Sequence, residues 1–208
     1  MADFALVPVP VEIVELDTGY QLLRGGKPYQ IYGAGMDTNE ITALAAVGGN
    51  SLRTWVIGTD GSDGRQLLDE AAEQGMTVAL CLDIERERHG FDYDDEEAVA
   101  RQLAYAQREV LKYKDHPALL FWIIGNEVNH SYTNPRVFDA VNAISKMIHE
   151  IDKNHPTTTA LSGFSGEMVA VMVLSVLLLP VLRSGWQIRR WEGAVLLSAY
   201  VGAFLFLL

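Results

Sequence analysis

Cysteine is nearly missing from this chain: Cys81 is the only one in 208 residues. One cysteine excludes a disulfide framework and any cysteine-rich zinc site. Positive charge is scarce too, with 16 basic against 27 acidic side chains and a net charge of −11. That balance excludes a strongly basic nucleic-acid binder, so no nucleic-acid partner is expected. Low-complexity linkers and internal repeats are lacking, and 49% hydrophobic residues exclude a disordered chain. An export signal is missing from the N-terminus. Met1–Pro10 has no basic start, contains Asp3, and its apolar run is broken by Pro8 and Pro10. A complete GxGxxG is also missing: Gly33-Ala34-Gly35-Met36-Asp37-Thr38 lacks the third glycine. A dinucleotide site is therefore weakly supported, and no cofactor is expected.

What is present is sharply segregated. Mean hydropathy is +0.10, high for a chain with 21% charged residues. Residues 166–208 hold only Glu167, Arg183, Arg189, Arg190 and Glu192 as charges, net +1. The first 165 residues hold 13 basic and 25 acidic side chains, net −12. The division predicts an acidic domain over 1–165 and an apolar one over 166–208. Within the latter, 168–182 and 193–208 carry no charge and no polar face. Each is slightly shorter than the ~20 residues that span a bilayer, yet membrane insertion fits them better than a pair of core helices. Trp186, Trp191, Arg183, Arg189 and Arg190 lie between them, as interfacial anchors do. The expectation is a two-helix transmembrane hairpin with the lipid bilayer as partner and the membrane as location. Basic residues in the connection favour its cytoplasmic placement, which puts both termini outside although no export signal is present. The side of the acidic domain stays open.

The acidic part has the grammar of an α/β fold. Val11–Glu15 and Tyr20–Leu23 alternate apolar and polar residues and predict a hairpin, with Gly25-Gly26-Lys27-Pro28 a turn. Gln30–Gly35 then predicts a strand, Thr38–Val47 a helix, and Ser51–Ile57 a strand. Arg65–Gln74 predicts a helix stopped by Gly75, and Met76–Leu82 a continuously apolar strand. Glu96–Lys114 predicts a long helix behind an acidic run that suits the positive end of its dipole. Leu119–Ile124 is again apolar throughout, Pro135–Ile151 helical with Asn134 as cap, and Thr157–Leu161 starts a further strand. Strands apolar throughout are buried on both faces, as in parallel sheets covered by helices. Periodicity leaves a doubly wound sheet and a barrel both open. About 165 residues is short for an eight-stranded barrel, which needs roughly 250.

The strongest chemical signal is His116-Pro117-Ala118-Leu119-Leu120-Phe121-Trp122-Ile123-Ile124-Gly125-Asn126-Glu127-Val128. A buried strand ends by presenting Asn126 and Glu127, and ligands bind at the carboxyl ends of strands in α/β folds. An acid placed there can donate a proton to a leaving group. It can equally cap the next helix or pair with a cation. Asp83, Glu85 and Glu87 follow the preceding strand, and Glu85–Arg88 reads as a solvated charge run. Glu127 and His130 have an E-x-x-H spacing, but Glu127 ends a strand rather than sitting on a helix, so no metal is expected. Trp122 and Cys81 read as core residues.

The whole string resembles the (β/α)8-barrel glycoside hydrolases of clan A, closest to the catalytic domain of glycoside hydrolase family 2. The resemblance runs from Gly19 to Gly163. It includes Gly26-Lys27-Pro28-Tyr29, Gly49-Asn50-Ser51-Leu52-Arg53-Thr54-Trp55, Leu68-Asp69-Glu70-Ala71, Gly75-Met76-Thr77-Val78, and Tyr113-Lys114-Asp115-His116-Pro117 leading to Gly125-Asn126-Glu127. It implies an α/β fold: the first four to five β/α units of a barrel, behind an N-terminal hairpin. It implies hydrolysis of O-glycosidic bonds with retention and a carbohydrate substrate. Glu127 matches the general acid/base at the end of strand four, and Asn126 the amide that holds the sugar 2-hydroxyl. Arg53 matches the arginine near the nucleophile, while Trp55, Asp37 and Asp83 fall at strand ends and could line the sugar site. The nucleophile of such enzymes stands at the end of strand seven, which this sequence lacks, so the chain alone is expected to be inactive. The tail, from Leu177-Leu178-Leu179-Pro180 to Tyr200, resembles the last two helices of bacterial calcium/sodium antiporters, without the acids that bind ions there.

Three readings stay open at this point: a tethered glycosidase, a transporter-derived membrane protein with an appendage, and a non-catalytic carbohydrate-binding or structural domain. A fusion junction near Ser165 is compatible with each. An incomplete barrel would leave edge strands unpaired, which invites self-association.

Overall fold

A computed structural model describes residues 6–36, 40–57 and 63–162. All of them belong to the unit Met1–Ser162. The two apolar runs of the tail lie outside the described residues. Among the described residues no helix is long and apolar enough to cross a membrane.

The elements follow the predicted order. β1 (Val11–Leu16), β2 (Gly19–Arg24) and the two-residue β3 (Lys27–Pro28) form an antiparallel sheet, so part of the expected turn is itself paired. β4 (Gly33–Gly35), β5 (Ser51–Arg53), β6 (Thr77–Leu82), β7 (Leu119–Asn126) and β8 (Thr157–Ala160) form a second, parallel sheet. Its spatial order is the sequence order, β4-β5-β6-β7-β8. A doubly wound sheet reverses order at a switch point. This one does not reverse, and that is the winding of a barrel. The helices α1 (Ile41–Ala46), α2 (Gly64–Glu73), α3 (Glu96–Tyr113) and α4 (Arg136–Ile151) connect consecutive strands.

Side-chain size separates the two faces of the sheet. Val78, Leu80 and Leu82 of β6 and Leu120, Trp122 and Ile124 of β7 are all buried. Most of them join the main core with Leu67, Leu68, Ala106, Val110, Ile144 and Ile148 from the helices. The opposite face carries a separate small cluster of Ala79, Cys81 and Ile123, with Phe121 and Ala160 packed against it. Cys81 is fully buried there, and burial pushes its thiol up to about 12, so it is an inert core residue.

Helix starts obey capping chemistry. Asp63 accepts from the Arg65 N–H at the head of α2, and Asp95 accepts from Ala98 N–H at 3.0 Å at the head of α3. At α4 the N-cap is Pro135 rather than the expected Asn134, which lies one residue earlier and accepts from Arg136 N–H at 3.1 Å.

Two strands are shorter than periodicity suggests, and in both a side chain has taken a ladder position. The amide of Asn50 donates to Gln30 O and accepts from Tyr32 N–H, both at 2.8 Å, so residues 30–32 pair with a side chain. The hydroxyl of Thr54 accepts from Cys81 N–H at 2.9 Å, and β5 ends one residue earlier, at Arg53. At Gly33, an added Cβ would lie 2.2 Å from Ser51 O, so only glycine lets β4 approach β5 this closely.

The hairpin sheet is tied to the parallel sheet by Arg24, which donates to Pro117 O at 2.7 Å, and by Val11 N–H to Asn154 O at 2.7 Å. Two buried polar groups anchor the helices. Trp122 Nε1 donates to Asp152 at 2.8 Å, and His155 Nδ1 donates to the same carboxylate at 2.9 Å. Burial alone would push Asp152 up, but the bonds from His155 and Trp122 prevail and hold its carboxyl below the usual range.

His116 accepts from Ala118 N–H at Nδ1 (3.1 Å) and meets Asp69 at Nε2 (3.0 Å), which makes it the neutral Nε2–H tautomer. Burial depresses its pKa, against the opposing pull of Asp69. The unfolded chain takes up this proton at about 6.5, and the folded chain only at lower pH. The stability tied to neutral His116 is therefore complete above pH ~6.5 and lost as pH falls from there through the depressed folded value. Urea midpoints of the full chain should fall between pH 7 and 5, and H116Q should flatten that slope. An equal slope in H116Q would refute the assignment.

Candidate functional site

β7 ends irregularly. Its register against β8 shifts between Ile123 and Asn126, where Gly125 has φ +71°. A bulge of this kind re-aims the side chains that follow it. Asn126 realigns with Ala160, and Glu127 N–H donates to Ala160 O at 2.8 Å. Glu127 itself has φ +53°, a left-handed conformation that an ordinary side chain adopts at a cost of roughly 1–2 kcal/mol. Strain of this kind collects at functional sites. The turn closes with His130 N–H to Glu127 O at 3.0 Å.

The structure brings three of the expected site residues together. Arg53, at the end of β5, donates through Nη2 to the side-chain oxygen of Asn126. That bond leaves the Asn126 NH2 group to donate elsewhere, as an amide that recognises a hydroxyl must. The Arg53 Nε is buried without a hydrogen-bond partner among the described residues. Glu127 follows Asn126, with its side chain about half exposed (47%). Its charged neighbour is a cation: Arg88 Nη2 lies 3.6 Å from Glu127 Oε2.

The remaining candidates separate. Trp55 is exposed, and its ring lies against Gly35 at the end of β4. Asp83 follows β6 directly and is also exposed. Asp37 lies outside the described residues. Trp122 points into the helix-side core, as expected.

The expectation of a solvated run over Glu85–Arg88 is corrected. Arg86 Nε donates to Asn126 O at 2.9 Å, and Arg88 Nη1 donates to Glu127 O at 2.7 Å. Glu87 accepts from Thr133 N–H at 2.7 Å, from Asn134 N–H at 3.0 Å and from the Thr133 hydroxyl. The Thr133 hydroxyl, then the Asn134 and Thr133 amides, hold the Glu87 carboxyl below its usual range. Glu87 is thus committed to the loop beyond Glu127. Each of these partners lies some 40 residues away in sequence, so only alternating charge was visible locally.

A hollow of about 240 Å³ on the small-residue face of the sheet is lined by Gly33, Gly35, Arg53, Ala79, Phe121 and Ile123. A larger groove of about 590 Å³ between α3 and α4 contains none of the expected site residues.

Residues 60–175, more than half of the chain, match the family model for the TIM barrel domain of family 2 glycosyl hydrolases. The chain belongs to this family. The antiporter resemblance of the tail finds no support among the matches, and the expected two-helix hairpin lies outside the described residues, among which no helix is long and apolar enough to cross a membrane. No curated protein matches the sequence significantly. Similar solved structures include a beta-glucuronidase of an uncultured Clostridium species, at TM-score 0.57 and 20% identity, covering 77% of this chain and 29% of that one. A GH2 beta-galacturonidase from Eisenbergiella tayi aligns at TM-score 0.56 and 16% identity, covering 75% and 29%. A beta-D-mannosidase from Dictyoglomus thermophilum aligns at 0.54 and 15%, covering 77% and 22%. The chain thus spans less than a third of these proteins, and the likeness carries the fold alone.

Gly125 is the position on which this geometry can be tested. An added Cβ would lie 2.5 Å from Val128 Cγ1 and 3.1 Å from Ile84 Cβ, at a φ that disfavours any side chain. G125A should destabilise the chain by at least 1–3 kcal/mol, read as a lowered urea midpoint. A neutral substitution would mean that the bulge is not built as described.

Proposed function

We propose that this chain carries the acid/base side of a retaining glycosidase site. Glu127 gives its proton to the glycosidic oxygen as a carboxylate attacks the anomeric carbon and the carbon–oxygen bond breaks. Glu127 then takes a proton from water, whose oxygen displaces the carboxylate from that carbon. Asn126 donates its free NH2 to a sugar hydroxyl, and Arg53 holds the amide in that orientation. The attacking carboxylate corresponds to strand seven of the family, beyond the five parallel strands of the described residues, so in this reading the nucleophile is supplied from outside them. The observation that carries this reading is the bulged end of β7, which sets Asn126 against Arg53 and turns Glu127 outward beside it.

The substrate class is β-glycosides. The names of the similar structures make glucuronides, galacturonides and mannosides the first to test. A small external anion can replace a missing nucleophile. The full chain should therefore release 4-nitrophenol from one of these 4-nitrophenyl glycosides when formate is added, and not without it. E127Q should lower that rate about 100-fold or more. Full turnover in E127Q would refute the role of Glu127. Sugar affinity by calorimetry, with no turnover even in formate, would favour the alternative of a carbohydrate-binding domain.

The hydrophobicity of 168–182 and 193–208 supports a second element of the proposal, attachment to a bilayer through the tail. The full chain should float with phosphatidylcholine vesicles, and a chain ending at Ser165 should not. Equal flotation, or none by either, would exclude attachment through these runs.

A further inference from the structure

The segment after β6 is tied down at every residue from 85 to 88. Glu85 N–H donates to Gln102 Oε1 at 2.8 Å, and its carbonyl accepts from the Tyr93 hydroxyl at 2.6 Å. Glu87 is bound to residues 133 and 134, beyond the turn that follows β7. Between these anchors, Arg86 and Arg88 reach the other way, to the carbonyls of Asn126 and Glu127 at 2.9 and 2.7 Å. The Arg88 fork also places a second nitrogen 3.6 Å from the carboxylate of the same glutamate.

This arrangement addresses a specific weakness of the site. Glu127 sits in a left-handed conformation at the end of a strand, with its side chain half exposed. A half-exposed carboxylate on a strained turn has several rotamers available, and misplacement by about 1 Å can cost 100-fold in rate. One guanidinium that holds both the carbonyl and the carboxylate of a residue restricts its backbone and its side chain together. The planar fork of arginine does this with two nitrogens in fixed geometry, which the single rotatable ammonium of lysine reproduces only in part. Arg88 is itself largely shielded, with 22% of its side chain exposed, so its geometry is set by packing.

We propose that Arg86 and Arg88 form a clamp that positions the acid/base turn, with Arg88 setting the direction of the Glu127 carboxylate. The proposal rests on the reading of Glu127 as the acid/base. Both arginines act through Asn126 and Glu127, as positioning residues.

The test compares the full chain with R86A, R88A, R88K and E127Q in two measurements. The first is amide hydrogen exchange. R86A and R88A should speed exchange at Glu127 and His130 about tenfold, with exchange in β6 and α3 and the thermal midpoint unchanged. The second is the formate-supported reaction on two glycosides of one sugar, with phenol and with 2,4-dinitrophenol as leaving groups. Phenol needs protonation to leave, and dinitrophenol does not. R88A should lose about 100-fold in kcat on the phenyl glycoside, with KM little changed and a much smaller loss on the dinitrophenyl one. R88K should fall between R88A and the parent chain. A lesion of general packing would lower both substrates alike. If E127Q shows the leaving-group dependence and R88A does not, the clamp is refuted and the role of Glu127 stands. If E127Q shows none, the role of Glu127 falls, and the catalytic purpose of the clamp with it. If no variant turns over, unchanged exchange at Glu127 refutes the clamp and faster exchange in R88A supports it.

Discussion

The register break at Gly125 is the constraint from which the site follows. Between Ile123 and Asn126 the ladder of β7 with β8 loses step, and it recovers where Gly125 takes a left-handed backbone conformation that favours glycine. Ile84 and Val128 pack into the space where its side chain would be, so the core fills the bend and holds it. The bend determines what comes next: Asn126 re-enters the sheet opposite Ala160, and Glu127 is forced into a left-handed turn. Without the break, successive residues would alternate faces along a straight strand, and Asn126 and Glu127 would point to opposite sides of the sheet.

The sheet can support that bend because its two faces are unlike. Large aliphatic residues and Trp122 lie on the helix side, where they bury enough apolar surface to fix the strands. Ala79, Cys81 and Ile123 on the other side are mostly small, which lets the strands curve around a narrow interior. Polar anchors then fix the helices to the strands. Asp152 accepts from Trp122 and His155 at once, and Asp69 bridges Arg65 and His116. Losing either donor would leave a buried carboxylate undersatisfied.

Much of this was legible in the sequence because it is written locally. Continuous apolar runs marked β6 and β7, glycine and proline marked the turns, and an acidic run marked the start of α3. The end of β7 at Asn126, with Glu127 next in the chain, was legible as a strand terminus. What periodicity missed has one physical form: a side chain bonding to distant backbone. Asn50 replaced ladder bonds of residues 30–32, Thr54 did the same toward Cys81, and Arg86 and Arg88 bonded across to β7. In each case the residue type is ordinary for a loop or a charged surface, and only its partner gives it meaning. Arg53 is the instructive exception. Nothing in its spacing distinguished it, and the resemblance to a barrel family placed it at a strand end, where it meets Asn126.

The bonds that shape the Glu127 turn all lie within the five parallel strands and the segments that leave them. Ala160 O holds Glu127 N–H, the segment after β6 holds the two carbonyls, and β5 supplies Arg53. None of these bonds calls on a strand beyond β8. On the proposed reading, the two halves of a retaining site are therefore physically separable problems: a proton donor aimed by local hydrogen bonds, and a nucleophile aimed by strands further along a barrel. Electrostatics acts in the same direction, since Arg88 already meets the charge of Glu127 and no opposing carboxylate is needed to hold the turn. If Glu127 has the proposed role, an acid/base set in place independently of the nucleophile lets a small anion act as that nucleophile, because the anion has only to find the anomeric carbon. A site in which the two carboxylates positioned each other would fail altogether when one was missing.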